Sequence, residues 1–348
     1  MTSGSRLRRG GVAAALAAAL AAALTAGLVT ARAASAAPEL PPVSPEELVA
    51  SVLSAKPVAL AGTVAVDNRL GLPSVPGVAE DTLADGTSTA RVWSDGAGHG
   101  RLALPRPDGE RTYVRDGEGT WAYDSADRTA TRIPARTGDG PDRPDRDPQA
   151  AATEIVGALR GTSTVAVDGT TEVAGRPAYT LVLTPAAGER TVLREVRAAV
   201  DAETRMPLEL TVLGAGAEPV LQIGFDDLTV GPQDPSLFTF TPPPGATVEN
   251  APAHERGRGG PPTGAERPRA VGEGWDTVVV GTVPQRAPDG TGGQPDRPDL
   301  SALGTPVSGA WGSGREITTT AGSAILTDDG RFAAGAVGTD VLGAALAR

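Results

Sequence analysis

Apolar positions recur along this chain with two different periods, and the switches between them mark out its elements. Ser44-Pro45-Glu46-Glu47 combines a hydroxyl N-cap, a proline at the first helical position and a glutamate placed to close a capping box. Leu48, Val49, Val52 and Leu53 then share one face and Pro57 ends the run, which predicts an amphipathic helix. From residue 60 the period shortens to two. "GTVAVDN", "STARVWS", "GRLALP", "RTYVR", "TWAYD" and "TATRIP" read as short strands. Asp-Gly pairs at 85–86, 95–96, 108–109, 116–117 and 139–140 punctuate the region, and Asp-Gly readily supplies the positive φ of tight hairpin turns, so an antiparallel meander is expected. A Pro/Asp/Arg-rich loop follows, and the helical period returns from about Pro148 to Leu159, where Ile155, Val156 and Leu159 share a face.

A second set of strands comes next: "STVAVDG", "AYTLVLT", "LREVRAAVD", "LELTVLG" and "PVLQIGF". Tyr179, Leu181 and Leu183 point one way, Leu208, Leu210 and Val212 oppose Glu209 and Thr211, and Leu221, Ile223 and Phe225 form a third apolar row. The stretch "DPSLFTFTPPPGATV" reads as a terminal edge strand, with Phe238 and Phe240 alternating and Pro242, Pro243 and Pro244, which have no N–H to donate, forbidding its continuation. Residues 249–270 show no periodicity and are rich in Gly, Pro and charge, the composition of a linker. Beyond them "WDTVVVG", "AILTDDGRFAAGAV" and a helix from Thr339 to Ala347 predict a small α+β unit over residues 271–348, interrupted by a second flexible stretch at 284–299.

Ten or eleven strands in one antiparallel sheet curl strongly, because neighbours twist by about 20–25°. Two helices are too few to cover the apolar face of such a sheet. The expected shape is a half-open barrel with helices across its mouth and an apolar cavity inside. The alternative is a filled β-sandwich, and periodicity alone does not separate the two.

Composition narrows the functions this shape serves. Arg6, Arg8 and Arg9 precede an apolar run from Gly11 to Ala31, and Ala34-Ser35-Ala36 is a small-residue cleavage pattern, so residues 1–36 read as a signal peptide and the protein as exported; an uncleaved membrane anchor is the alternative, since about twenty apolar residues just span a bilayer. Cysteine is absent, which excludes disulfides, thiolate metal sites and a Cys nucleophile. The net charge is -11, and removing residues 1–36, which carry four arginines and no acids, moves it to about -15; nucleic acid and anionic membranes repel such a surface. Lys56 is the only lysine, a bias of genomic base composition. Aromatic residues are only 3%, so any core rests on Val, Leu and Ala.

Catalytic patterns are missing. His99 sits in a turn and His254 in the linker, neither with a second histidine at metal spacing. Gly96, Gly98 and Gly100 imitate a glycine-rich loop without forming G-x-G-x-x-G or a Walker motif, and no serine stands in a G-x-S-x-G elbow or an S-x-x-K pair. Asp226-Asp227 reads as a solvated pair at a strand end. No enzyme and no cofactor are expected.

"TWAYDSADRTATRI" (120–133), "GRPAYTLVLTP" (175–185), "VRAAVDAETRMPLELTVLGAG" (196–216) and "DPSLFTFTPPPGATV" (234–248) occur in the order seen in the LolA-like superfamily. That superfamily includes periplasmic lipoprotein carriers, RseB/MucB-type regulators of sigma factors and mycobacterial lipid carriers. Over about residues 40–250 the chain resembles an actinobacterial member. The resemblance implies an α+β fold: a curved antiparallel half-open β-barrel with a helical lid over residues 40–248, joined by the linker to the C-terminal unit. It implies binding of a lipid or lipoprotein acyl chain, as carrier or sensor; the residues expected to line the cavity, taken from the apolar rows above, are Trp121, Tyr123, Tyr179, Leu181, Leu183, Leu208, Leu210, Val212, Leu221, Ile223 and Phe225. An RseB/MucB-like role would add a membrane-protein partner, such as an anti-sigma factor, engaged by the C-terminal unit.

Overall fold

The computed structural model describes residues 39–71, 85–135, 147–251, 268–282 and 304–348. The expected signal peptide, the Asp139-Gly140 turn, His254, the 284–299 stretch and most of the expected linker lie outside them.

Local chemistry sets both lid helices. Before α1 (Pro45–Ser54), the Ser44 hydroxyl accepts from the Glu47 N–H at 3.2 Å while the Glu47 carboxylate accepts from the Ser44 N–H at 2.9 Å. These are the two halves of a capping box. Before α2 (Pro148–Leu159), the Asp147 carboxylate accepts from the Gln149 N–H at 3.1 Å. The helices pack against each other, and Arg160 at the end of α2 pairs with Glu46 in the first turn of α1.

The large sheet contains β1 (Ala59–Asn68), β2 (Gly86–Asp95), β3 (Gly100–Arg106), β4 (Gly109–Arg115), β5 (Gly119–Asp124), β6 (Thr129–Pro134), β7 (Ser163–Val173), β8 (Arg176–Pro185), β9 (Glu195–Asp201), β10 (Pro207–Leu213), β11 (Pro219–Val230) and β12 (Thr247–Asn250). Their order is β12-β6-β5-β4-β3-β2-β1-β11-β10-β9-β8-β7, so β1 joins the meander β2–β6 to the meander β7–β11. The sheet is open, with β12 and β7 as its free edges, and it curls enough to bring β7 back into contact with β11 across three intervening strands. The Asp-Gly turns act as expected between β2 and β3 and between β4 and β5, where Gly96 and Gly117 take φ of +74° and +85°.

Two details differ from the sequence expectation. Residues 234–241 form no edge strand. The Asp234 carboxylate accepts from the Ser236 N–H at 2.9 Å and starts a single 3-10 turn, Pro235–Phe238, which buries Phe238. The three prolines then carry the chain across the sheet, Arg128 donates to the Pro244 carbonyl at 2.7 Å, and the chain re-enters as β12, pairing with β6 in parallel. Donor-free prolines stop a strand but do not stop the next residues from joining an edge. The first residues of the expected linker therefore belong to β12. The pair Asp226-Asp227 also lies within β11 and not at its end, at an irregularity where the register with β1 slips by one residue.

A second sheet has the order β13-β14-β18-β17-β16-β15, comprising β13 (Arg269–Val271), β14 (Val278–Thr282), β15 (Thr305–Gly309), β16 (Gly312–Thr318), β17 (Ser323–Thr327) and β18 (Arg331–Gly335). Helix α3 (Thr339–Leu346) buries Leu342 and Leu346 against Val278, Val280, Ile325 and Ala333. Strands β15 and β16 escaped the sequence reading because Gly, Ser and Thr dilute their alternation.

The small sheet sits at one end of the large one. The Trp275 indole N–H donates to Ser163 Oγ at 2.7 Å, and its backbone N–H donates to the Glu189 carboxylate at 2.8 Å. Thr191 donates through Oγ1 to the Ala336 carbonyl at 2.6 Å, and the Thr320 N–H donates to the Leu70 carbonyl at 3.0 Å. Ser163 starts β7, Glu189 and Thr191 link β8 to β9, and Leu70 follows β1, so all four contacts fall at the same end of the strands.

Candidate functional site

Strand register decides which side chains share a face. Tyr179, Leu181 and Leu183 of β8 pair with Val200, Ala198 and Val196 of β9. Ala198 and Val196 pair with Leu210 and Val212, which pair with Ile223 and Leu221. Ile223 and Phe225 pair in turn with Val66 and Val64 of β1. Directly opposed residues project to the same side. The three rows expected from sequence thus merge into one apolar face, and Leu208 packs in the same buried cluster as Ile223, Phe225 and Val64. The face continues through Val92, Leu102, Tyr113 and Ala122.

The lid lies on this face over β7–β9, where Leu48 and Val49 of α1 and Val156 and Leu159 of α2 pack with Val165, Tyr179, Leu181 and Val200. Past β9, where the helices do not reach, Leu208, Leu210, Ile223, Phe225 and Val64 are still buried, while Val212, Leu221, Val92, Leu102 and Tyr113 are only half-buried.

Trp121 and Tyr123 depart from the expected lining. They pair with Val114 and Thr112, out of step with Tyr113 and Ala122, and so project from the opposite side of the sheet. There Phe240 packs against both, at 5.6 Å between ring centroids, and the Arg132 guanidinium lies 5.1 Å from the Trp121 ring. The segment that reads as an edge strand is instead their cover.

At the end of the apolar face away from the small sheet, the turn joining β9 to β10 is fixed by Asp201, whose side chain is 1% exposed. Its carboxylate accepts from Arg176 at 2.8 and 2.9 Å and from the N–H and Oγ1 of Thr204 at 2.7 and 2.6 Å. Burial pushes the Asp201 carboxyl up, but the bonds from Arg176 and Thr204 outweigh it and hold the group below the ordinary carboxylate range. The turn places Arg205 at φ +62° with its guanidinium 5.1 Å from the Tyr179 ring, and the Tyr179 hydroxyl donates to the Pro41 carbonyl at 3.0 Å. Arg205 was missed by sequence reasoning, since one arginine in the turn "DAETRMP" carries no pattern.

Among the described residues no group of three or more His, Cys, Asp or Glu side chains is placed to hold a metal ion. His99 caps the β2–β3 turn, with Nδ1 2.5 Å from the Asp95 carboxylate.

An open, curled antiparallel sheet with two helices on one face is the arrangement that the resemblance to the LolA-like superfamily implies for residues 40–248, and a separate small sheet with one helix follows it. No family model and no curated protein matches the sequence. Among solved structures the chain is similar to Pseudomonas aeruginosa MucB in its complex with MucA, at a TM-score of 0.43 and 17% identity over 86% of this chain and 94% of that one. It is also similar to a LolA superfamily protein from Nitrosomonas europaea, at 0.24 and 11% over 57% of this chain and 99% of that one. LprF from Mycobacterium bovis gives 0.28 and 12% over 56% and 99%.

Proposed function

We propose that this is an exported binding protein that holds the acyl chain of a lipid or lipoprotein, as carrier or sensor, without catalysis. The observation that carries the reading is the single apolar face running from Tyr179 through Leu210 and Ile223 to Tyr113, of which the two helices engage only the β7–β9 part. An acyl chain of about sixteen carbons laid on such a face contributes on the order of 10 kcal/mol before ordering costs, at ~0.8 kcal/mol per buried CH₂. No polar lining is required for that. The sequence pattern of residues 1–36 supports export. The test is organic extraction and mass spectrometry of protein purified from its native host, alongside titration with a fluorescent fatty acid. Co-purifying lipid and saturable probe binding are expected; absence of both refutes the reading.

A second reading, a protein partner for the C-terminal unit, is favoured by a groove of about 370 Å³ between the β15–β16 hairpin and α3, lined by Val307, Trp311, Gly343, Ala344 and Ala347. Pseudomonas aeruginosa MucB, to which the chain is similar, has been solved in complex with another protein, MucA. In the full chain, Ala344→Arg should abolish capture of a membrane-protein partner while leaving probe binding intact; unchanged capture removes this reading.

A further inference from the structure

We propose that Arg205 binds the oxyanion head group of the bound amphiphile, so that the acyl chain lies tail-inward, toward the end closed by the small sheet. The proposal rests on the acyl-chain reading above and adds the ligand's head-group chemistry and its direction. Arg205 Nη1 is buried from water and has no hydrogen-bond partner among the described residues. A guanidinium nitrogen so placed is costly, because it has given up water without gaining an acceptor. Stacking over the Tyr179 ring offsets part of that cost but supplies no oxygen.

The backbone points the same way. Arg205 occupies the left-handed region, with φ +62°, where a side chain with a Cβ is strained by about 1 kcal/mol or more. The strain persists because the turn is over-determined: buried Asp201 is held by Arg176 and Thr204, and its own carbonyl accepts from the Arg205 N–H at 3.2 Å. A rigid turn thus holds a planar five-donor cation at the rim of the apolar face, against Tyr179, the outermost residue of the β8 row. A planar fork of N–H donors matches carboxylate and phosphate oxygens. The opposite end of the strands is occupied by Trp275, Thr320 and the rest of the small sheet. The apolar face beyond Tyr179 suits the tail, and the Arg205 guanidinium offers the charged end an oxyanion partner at the rim.

The experiment titrates the full chain at pH 8 with cis-parinaric acid and with its methyl ester, in wild type and in Arg205→Gly. Glycine takes φ +62° without strain, so this variant keeps the turn and removes only the guanidinium. Wild type should bind the acid about tenfold more tightly than the ester, the scale of a charge-assisted pair, and Arg205→Gly should bind both alike at the wild-type ester affinity. Dodecyl phosphate should displace the acid while inorganic phosphate at the same concentration does not, which separates an amphiphile site from a free-anion site. Equal binding of acid and ester by wild type, survival of the preference in Arg205→Gly, or displacement by inorganic phosphate overturns the head-group assignment and leaves the acyl-chain reading standing. Failure of both probes to bind overturns the two together.

Discussion

Asp201 and Arg176 form the pair on which the β9–β10 turn depends. With the Asp201 side chain 1% exposed and Arg176 19% exposed, removing the cation leaves a carboxylate desolvated and uncompensated. Arg176→Met is expected to lower the unfolding free energy by about 3 kcal/mol, the low end of the range for a broken buried pair because Arg176 keeps some water contact; urea midpoints at pH 7 measure it. The pH dependence has a definite sign. The folded-state pKa of Asp201 lies below its unfolded value, so its contribution is fully present above the unfolded pKa, near ~3.9, and is lost as pH falls through the folded value. Asp201→Asn should therefore be less stable than wild type at pH 7 and lose less further stability on acidification below about pH 4. Parallel acid limbs for the two proteins would contradict this.

At the scale of elements, the lid is held by caps as well as by packing. Ser44→Ala removes one half of the capping box and should cost about 1 kcal/mol by thermal unfolding. Since α1 packs on Tyr179 and Leu181, a bound probe should also dissociate faster. On the other side of the sheet, Phe240→Ala uncovers Trp121, so tryptophan emission should shift to longer wavelength with no change in probe affinity. A loss of affinity equal to that of a lid variant would instead return Trp121 to the binding face. These elements also show what could be read in advance. The helices were legible almost to the residue, because Ser44, Pro45, Glu47 and Pro148 act within one turn of chain. The rows in β8, β10 and β11 were legible because each alternates over five or more residues. The parity of β5 was not: Trp121 and Tyr123 alternate with Ala122 whichever face they take, and only pairing with β4 decides. Nor was the fate of residues 234–250, where an Asp-Pro-Ser cap outweighs the Phe alternation and the partner of β12 lies more than a hundred residues away. Arg205 owes its place to a turn braced by Arg176, a contact that local pattern does not reveal.

At the level of the whole molecule, the two sheets meet at one end of the large one. The large one presents the apolar face, and the small unit contacts one end of it through Trp275, Ala336 and Thr320. Glu189→Ala removes the acceptor for the Trp275 N–H and should raise hydrogen exchange at the Trp275 and Val192 amides above that of the rest of both sheets. If the face shared by Tyr179, Leu210, Val212, Leu221 and Ile223 receives an acyl chain, a charge placed on it blocks binding. The most direct measurement is a cis-parinaric acid titration of wild type against Val212→Arg, a half-buried position where a charge obstructs the face without cutting into the fully buried core. Saturable binding by wild type and at least ~30-fold weaker binding by the variant, about 2 kcal/mol, are expected at an unchanged melting temperature. No binding by wild type, or equal binding by both proteins, would contradict acyl-chain binding on this face.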